Sequence, residues 1–181
     1  MGILLAFAPF IVFVLVERVV GVTPGLLAAT VVSALLLLRD LFAHKSTKIL
    51  ELGTLLLFGG LALYAKLADP AWSIIAVRLR VDAGLLLIVL ASLAMRRPFT
   101  LQYAREQVSR DHWGSPEFIR TNYMMTAVWA LAFAVMVIAE AAILYVPSLS
   151  PRVGILITAM AVYGAFRFTA YYPKRRQLSM S

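Results

Sequence analysis

The sequence predicts an all-α integral membrane protein, a compact bundle of about six transmembrane helices with a short amphipathic surface segment between the fourth and fifth. Three observations predict it. Hydrophobic residues fill 62% of the 181 positions and charged residues only 14%, and the mean hydropathy is +0.87, too apolar for a soluble domain with a charged surface. Six segments approach the roughly 20 apolar residues that a helix needs to cross a bilayer core. The Lys and Arg residues gather at the ends of these segments and form no stripe interleaved with aromatics. The net charge of +8 therefore reads as a topology signal and as contacts for anionic lipid head groups, with no nucleic acid as partner.

The first segment runs from about Ile3 to Val19, with Glu17-Arg18 at its far end. No Lys or Arg precedes it, so it lacks the charged start of a cleaved signal peptide and is read as part of the bundle. Ala6 stands where N-myristoylation would require Ser or Thr. Gly21-Val22-Thr23-Pro24-Gly25 reads as a turn, because Gly and Pro together interrupt helical patterns. The second segment, about Pro24 to Leu38, is the shortest and is followed by a polar loop from Arg39 to Lys48. The third spans about Ile49 to Ala65, ending at Lys66 and the turn Ala68-Asp69-Pro70.

Arg78, Arg80 and Asp82 interrupt the fourth segment, which is expected to begin as an interfacial stretch from Trp72 and to span from about Leu79 to Met95. Arg96-Arg97-Pro98 leads into the longest connection, Phe99 to Ile119, whose mixture of Phe99, Leu101, Tyr103 and Val108 with Arg105, Glu106, Arg110 and Asp111 suits an amphipathic helix on the membrane surface. Ser115-Pro116-Glu117 supplies an N-cap, a first-position proline and a first-turn carboxylate. The fifth helix is therefore expected to start there, enter the membrane near Asn122 and stop near Val146, before Pro147. The sixth covers Val153 to Tyr172 and ends at Pro173-Lys174-Arg175-Arg176. The whole chain, 1–181, reads as one transmembrane domain with a cytoplasmic connection at about 96–120 and a cytoplasmic tail at 173–181.

Basic residues near helix ends are retained in the cytoplasm. The connections after the second and fourth helices and the tail hold eleven Lys and Arg, against five on the alternate side, Arg18, Lys66, Arg78, Arg80 and Arg152. Both termini are accordingly expected in the cytoplasm. If the first segment is re-entrant or lies on the surface, only the N-terminus changes side. Trp72, Trp113, Tyr145, Tyr171 and Tyr172 stand at segment ends, as an aromatic belt requires.

A carboxylate inside a spanning helix costs about 2.5–3.5 kcal/mol if ionised near the centre. Glu140 is such a residue, on a face shared with Trp129, Phe133 and Met136. It reads as a proton, cation or substrate site or, twice as readily, as a structural group, either one half of an ion pair, with Arg18, Arg78 and Arg80 as partners at the same outer level, or a protonated carboxyl bonded to another helix. Arg167 lies shallow enough to snorkel to the head groups, while Glu51 beside Lys48, itself at the rim, and Glu17-Arg18, able to pair with neighbours at the outer rim, read as helix-end charges. Gly154, Thr158, Ala161 and Ala165 form a small-residue stripe on the sixth helix, and Ala127, Ala130, Ala134 and Ala141 form one on the fifth. These stripes predict the contact between the two helices, and the same faces suit a homo-oligomer.

The absence of Cys excludes disulfides, thiol catalysis and Cys-based metal sites. His44 and His112 lack a second ligand at helical spacing, and the Asp111-His112 pair is a weak acid–base signal. No phosphate loop, Ser-His-Asp set or nucleophile elbow occurs, so neither an enzyme nor a cofactor is expected.

Phe7-Ala8-Pro9-Phe10-Ile11-Val12-Phe13, Gly21 followed by Ala28-Ala29-Thr30, Phe58-Gly59-Gly60-Leu61 and Arg97-Pro98 occur in an order and spacing that resembles the bacterial intracellular septation protein A family over roughly the first hundred residues. Arg78-Leu79-Arg80-Val81-Asp82 departs from that family's Trp-Lys-x-Thr stretch, the cytoplasmic loop is longer, and the last helix lacks its aromatic-Lys-Val-Phe-Gly pattern. The resemblance implies an inner-membrane protein of envelope maintenance and septation, working through other membrane proteins and lipids, with no catalytic residues. In physical terms Pro9 is expected to kink the first helix, and Gly59 and Gly60 to permit close helix contact. The alternative function is a small channel or transporter for an ion, proton or solute, using Glu140 and the outer arginines.

Overall fold

The structure, a computed structural model, describes residues 5–68, 71–146 and 148–178, with side chains to residue 173. The start of the first segment at Ile3, Asp69-Pro70, Pro147 and the basic side chains from Lys174 onward lie outside the described residues. Every regular element among the described residues is helical. In chain order these are α1 (Ala8–Val19), α2 (Val22–Phe42), α3 (Ile49–Ala68), α4 (Ile74–Ala94), the short α5 (Phe99–Ala104), a single 3₁₀ turn (Arg110–His112), α6 (Pro116–Tyr145) and α7 (Pro151–Leu178). The chain forms two compact units, 1–88 and 89–181, with the boundary inside α4.

Several boundaries differ from the sequence expectation for local reasons. Leu5 and Ala6 are helical, Phe7 interrupts the helical run, and Pro9 stands in the first turn of α1 just after that break, where a missing N–H costs nothing. The expected five-residue turn shrinks to Val20-Gly21, because Gly21 takes φ +117°, open to glycine alone at little cost, and Pro24 sits in the first turn of α2. Far from being the shortest segment, α2 has 21 residues and runs through Arg39 and Asp40 to Phe42. His44, at φ +50°, and the bond from Lys45 N–H to the Asp40 carbonyl end it. On the other side, α4 is one continuous helix from Ile74, started by the Ser73 hydroxyl accepting from Ala76 N–H at 3.2 Å. Helix α7 continues through Pro173 to Leu178 and does not stop at Tyr172.

Phe13 of α1, Leu26 and Ala29 of α2, Phe58 and Ala62 of α3 and Val77 and Val81 of α4 form the core of the first unit. Phe58 meets Phe10 edge-on at 5.0 Å between ring centroids, a favoured aromatic geometry. In the second unit α6 packs along α7, where the Trp129 indole donates to Thr169 Oγ1 at 3.0 Å and meets the Phe166 ring edge-on at 4.9 Å. The reverse face of these helices is apolar too. Leu15, Leu35, Leu56, Leu63, Leu87, Leu131 and Ile138 are each more than half exposed. An exterior of this kind is stable in hydrocarbon and not in water. Four helices, α2, α3, α6 and α7, are long and apolar enough to cross a membrane, which marks the chain as a membrane protein.

Candidate functional site

Charge inside an apolar bundle needs a partner, so the buried ionised side chains are where any special role would reside. Glu17, on the last turn of α1, is buried, and both its oxygens accept from Arg78 on the first turns of α4, Nη2 at 2.9 Å and Nε at 3.2 Å. This is the planar two-bond geometry in which Arg and a carboxylate bind most tightly. It ties the end of α1 to the start of α4. Asp82, one turn further along α4 on the same side, is also buried beside the Arg78 charge.

A second cluster closes the α2–α3 hairpin. The buried Lys48 ammonium donates to Asp40 on the last turn of α2 and lies 3.4 Å from Glu51 on the first turn of α3. Arg39 Nε adds a bond to Asp40 at 2.8 Å. Lys48 is thus buried among protein atoms just ahead of α3. The two clusters stand at opposite ends of α2, whose 21 residues extend over about 31 Å.

Of the three arginines considered for Glu140, Arg78 is held by Glu17, and Arg18 is exposed. Arg80 is exposed as well, donating to the Ala76 carbonyl and lying 4.6 Å over the Trp72 ring, which stacks on Tyr64. Glu140 is half-buried on α6, continuing the buried stripe of Trp129, Phe133 and Met136. Arg167 is exposed and lies over Tyr171 at 4.6 Å and Tyr163 at 5.8 Å, one turn to either side.

The small residues separate by environment. Gly154 is buried with the Ile143 side chain of α6 against it, Ala165 is buried, and Thr158 and Ala161 are half-buried, so this stripe is the packed side of α7. On α6 only Ala130 of the alanine stripe is fully buried, while Ala127 is exposed. Gly59 has the Thr30 methyl 3.6 Å from where a Cβ would stand, whereas Gly60 faces open space. At Gly25 a Cβ would meet backbone atoms of α1, Glu17 N at 3.1 Å and Phe13 O at 3.2 Å, whereas at Gly53, Gly84 and Gly154 it would meet the ends of side chains.

The connection from Phe99 to Ile119 is not one amphipathic surface helix. Phe99, Thr100, Leu101 and Tyr103 of α5 are buried. The Thr100 hydroxyl bonds to the Asn122 carbonyl and to Thr126 Oγ1, both at 2.8 Å, which docks α5 on α6. Only the part from Glu106 onward is largely exposed. Sequence reasoning missed this docking, as it missed Asp40 and Asp82, because α5 has as many hydrophobic residues as an interfacial helix. Among the described residues no three His, Asp or Glu side chains converge as a metal site would require. Comparison with known protein families, with curated proteins and with solved structures gives no match.

Proposed function

We propose that this chain is a non-enzymatic protein of the bacterial inner membrane, acting in envelope maintenance or septation through contacts with lipids and other membrane proteins. The observation that supports this reading is where the buried charge goes. Glu17, Asp40 and Glu51 each face a cation, and each pairing fastens helix ends together. Side chains committed in this way tie helices to one another. The septation assignment itself comes from the sequence resemblance over the first hundred residues.

The topology that goes with this reading has six crossings, with α1 and α4 joining α2, α3, α6 and α7, and both termini in the cytoplasm. Helix α4 has 21 residues, enough for a core about 30 Å thick, and Glu17 offsets the charge of Arg78. The first test is deletion of the gene in its source bacterium. Filamentation or sensitivity to cell-wall stress, restored by both the wild-type and the Glu140→Gln copy, is the expected result. A reconstituted protein whose measurable ion or solute flux disappears in Glu140→Gln, with the fold intact, would replace this reading with transport.

A further inference from the structure

The exposed part of the α4–α6 connection holds an arrangement that neither the topology rule nor the proposed function assigns. Trp113 is fixed by its indole N–H, which donates to the Val108 carbonyl at 3.3 Å. Two guanidinium groups are held against that one ring, Arg105 at 5.4 Å from its centroid and Arg110 at 5.7 Å. Two like charges gathered at one ring repel each other. Among the described residues, no carboxylate lies within ion-pair distance of either arginine. Arg105 Nε is moreover buried without an acceptor there. Buried donors without partners are uncommon in folded proteins, and two uncompensated guanidiniums gathered at one indole ring are suited to an anion with several oxygens.

The depth of the platform identifies the anion. Helix α6 has 30 residues, about 45 Å in length, whereas the hydrocarbon core takes only about 20 residues, which counted back from Tyr145 begin near Thr126. Thr100 is bonded to Asn122 and Thr126, so α5 lies at this boundary, and Arg105 follows directly after α5. Trp113 stands two residues before the Ser115 cap of α6. Both arginines are therefore at the level of the lipid phosphates, where Trp is also favoured.

We propose that Arg105, Arg110 and Trp113 form a specific site for the phosphate of an anionic phospholipid in the cytoplasmic leaflet. The site rests on the membrane topology of the proposed function and adds to it a defined lipid contact. Arg110 and Arg105 clamp the phosphate oxygens, and Trp113 keeps the two side chains together and supports the glycerol backbone.

The test uses the purified full-length chain in a neutral detergent, titrated with short-chain phosphatidylglycerol and followed by native mass spectrometry, with phosphatidylcholine and inorganic phosphate as the other probes. Arg105→Gln, Arg110→Gln and Trp113→Leu are each expected to weaken phosphatidylglycerol binding by about ten-fold or more, the scale of a charge-assisted hydrogen bond. Arg96→Gln and Arg97→Gln, equally basic and outside the platform, are expected to leave it within about five-fold, the effect of one surface charge on an anionic membrane. Thermal unfolding of each variant identifies any that lose the fold, and Arg110→Gln, at an exposed position, keeps the comparison available if Arg105→Gln unfolds. Equal losses for all four arginines together with no effect of Trp113→Leu mean a diffuse basic field and overturn the site. Displacement of phosphatidylglycerol by inorganic phosphate at equal concentration overturns the lipid assignment. A normal septation phenotype on deletion would remove the proposed function and leave this result standing, so the two failures are distinguishable.

Discussion

Arg78 and Glu17 are 61 residues apart in the chain and meet with two parallel hydrogen bonds inside an apolar unit. Removing one partner leaves the other charge buried alone, which costs about 3–5 kcal/mol, whereas replacing both by apolar residues of similar size is close to neutral. Arg78→Ala and Glu17→Ala are each expected to lose that amount, and the Glu17→Met/Arg78→Met double variant far less than their sum. Reversible unfolding of the purified protein in mixed detergent and SDS measures this, and strictly additive losses would show that the two side chains do not act together. The sequence left Glu17 to pair with unnamed neighbours at the outer rim and offered Arg78 to Glu140, so the pairing of the two was not legible. Nothing local distinguishes a helix-end glutamate facing water from one facing another helix. The burial of Lys48 was not legible for the same reason, since it depends on Asp40 across a turn.

At the scale of the helix, the features legible in the sequence are those whose chemistry is local. Ser115 was expected to cap the fifth spanning helix, and its hydroxyl accepts from Phe118 N–H at 3.2 Å, with Pro116 as the first helical residue. Ser115→Ala is expected to lower stability by about 1 kcal/mol and to speed hydrogen exchange in the first turn of α6 without disturbing α7. Exchange that rises equally in both helices would mean that the cap is not what holds α6. Where a helix end depends on distant contacts, local reading failed. Asp40 at the edge of an apolar run looked like a loop residue, yet the helix continues because Lys48 and Arg39 satisfy it. Glycine was equally ambiguous. Gly25 looked like part of a turn but is where α2 crosses α1 most closely, and Gly60 looked like a packing residue but faces open space. Gly25→Ala is therefore expected to cost about 1–3 kcal/mol, as overpacking does, and Gly60→Ala to be neutral or slightly stabilising through helix propensity. The same unfolding assay ranks them, and an inverted order would contradict the close crossing at Gly25.

For the whole molecule, the class was set by composition, whereas the number of crossings depends on two helices whose sequences pull in opposite directions. Helix α1 has 12 residues, about 18 Å, which needs the residues before it to reach across the core. Helix α4 is long enough but carries Arg78, Arg80 and Asp82, so its crossing depends on pairing that hydropathy does not register. A chain without cysteine allows this to be decided directly, since each introduced thiol is the only one present. Exposed or open positions in the connections are suitable, namely Val20, Ala71, Ser148, Ser46 and Gly114, while Gly21 is avoided because its φ of +117° would be strained by any side chain. With six crossings, cysteines at Val20, Ala71 and Ser148 react with a membrane-impermeant maleimide in intact cells, and those at Ser46, Gly114 and Gly2 react only after permeabilisation. If α4 does not cross, the thiols at Ala71 and Gly114 label on the same side. If α1 does not cross, those at Gly2 and Val20 do so, and the N-terminus moves outside while the connection that carries Arg105, Arg110 and Trp113 stays within.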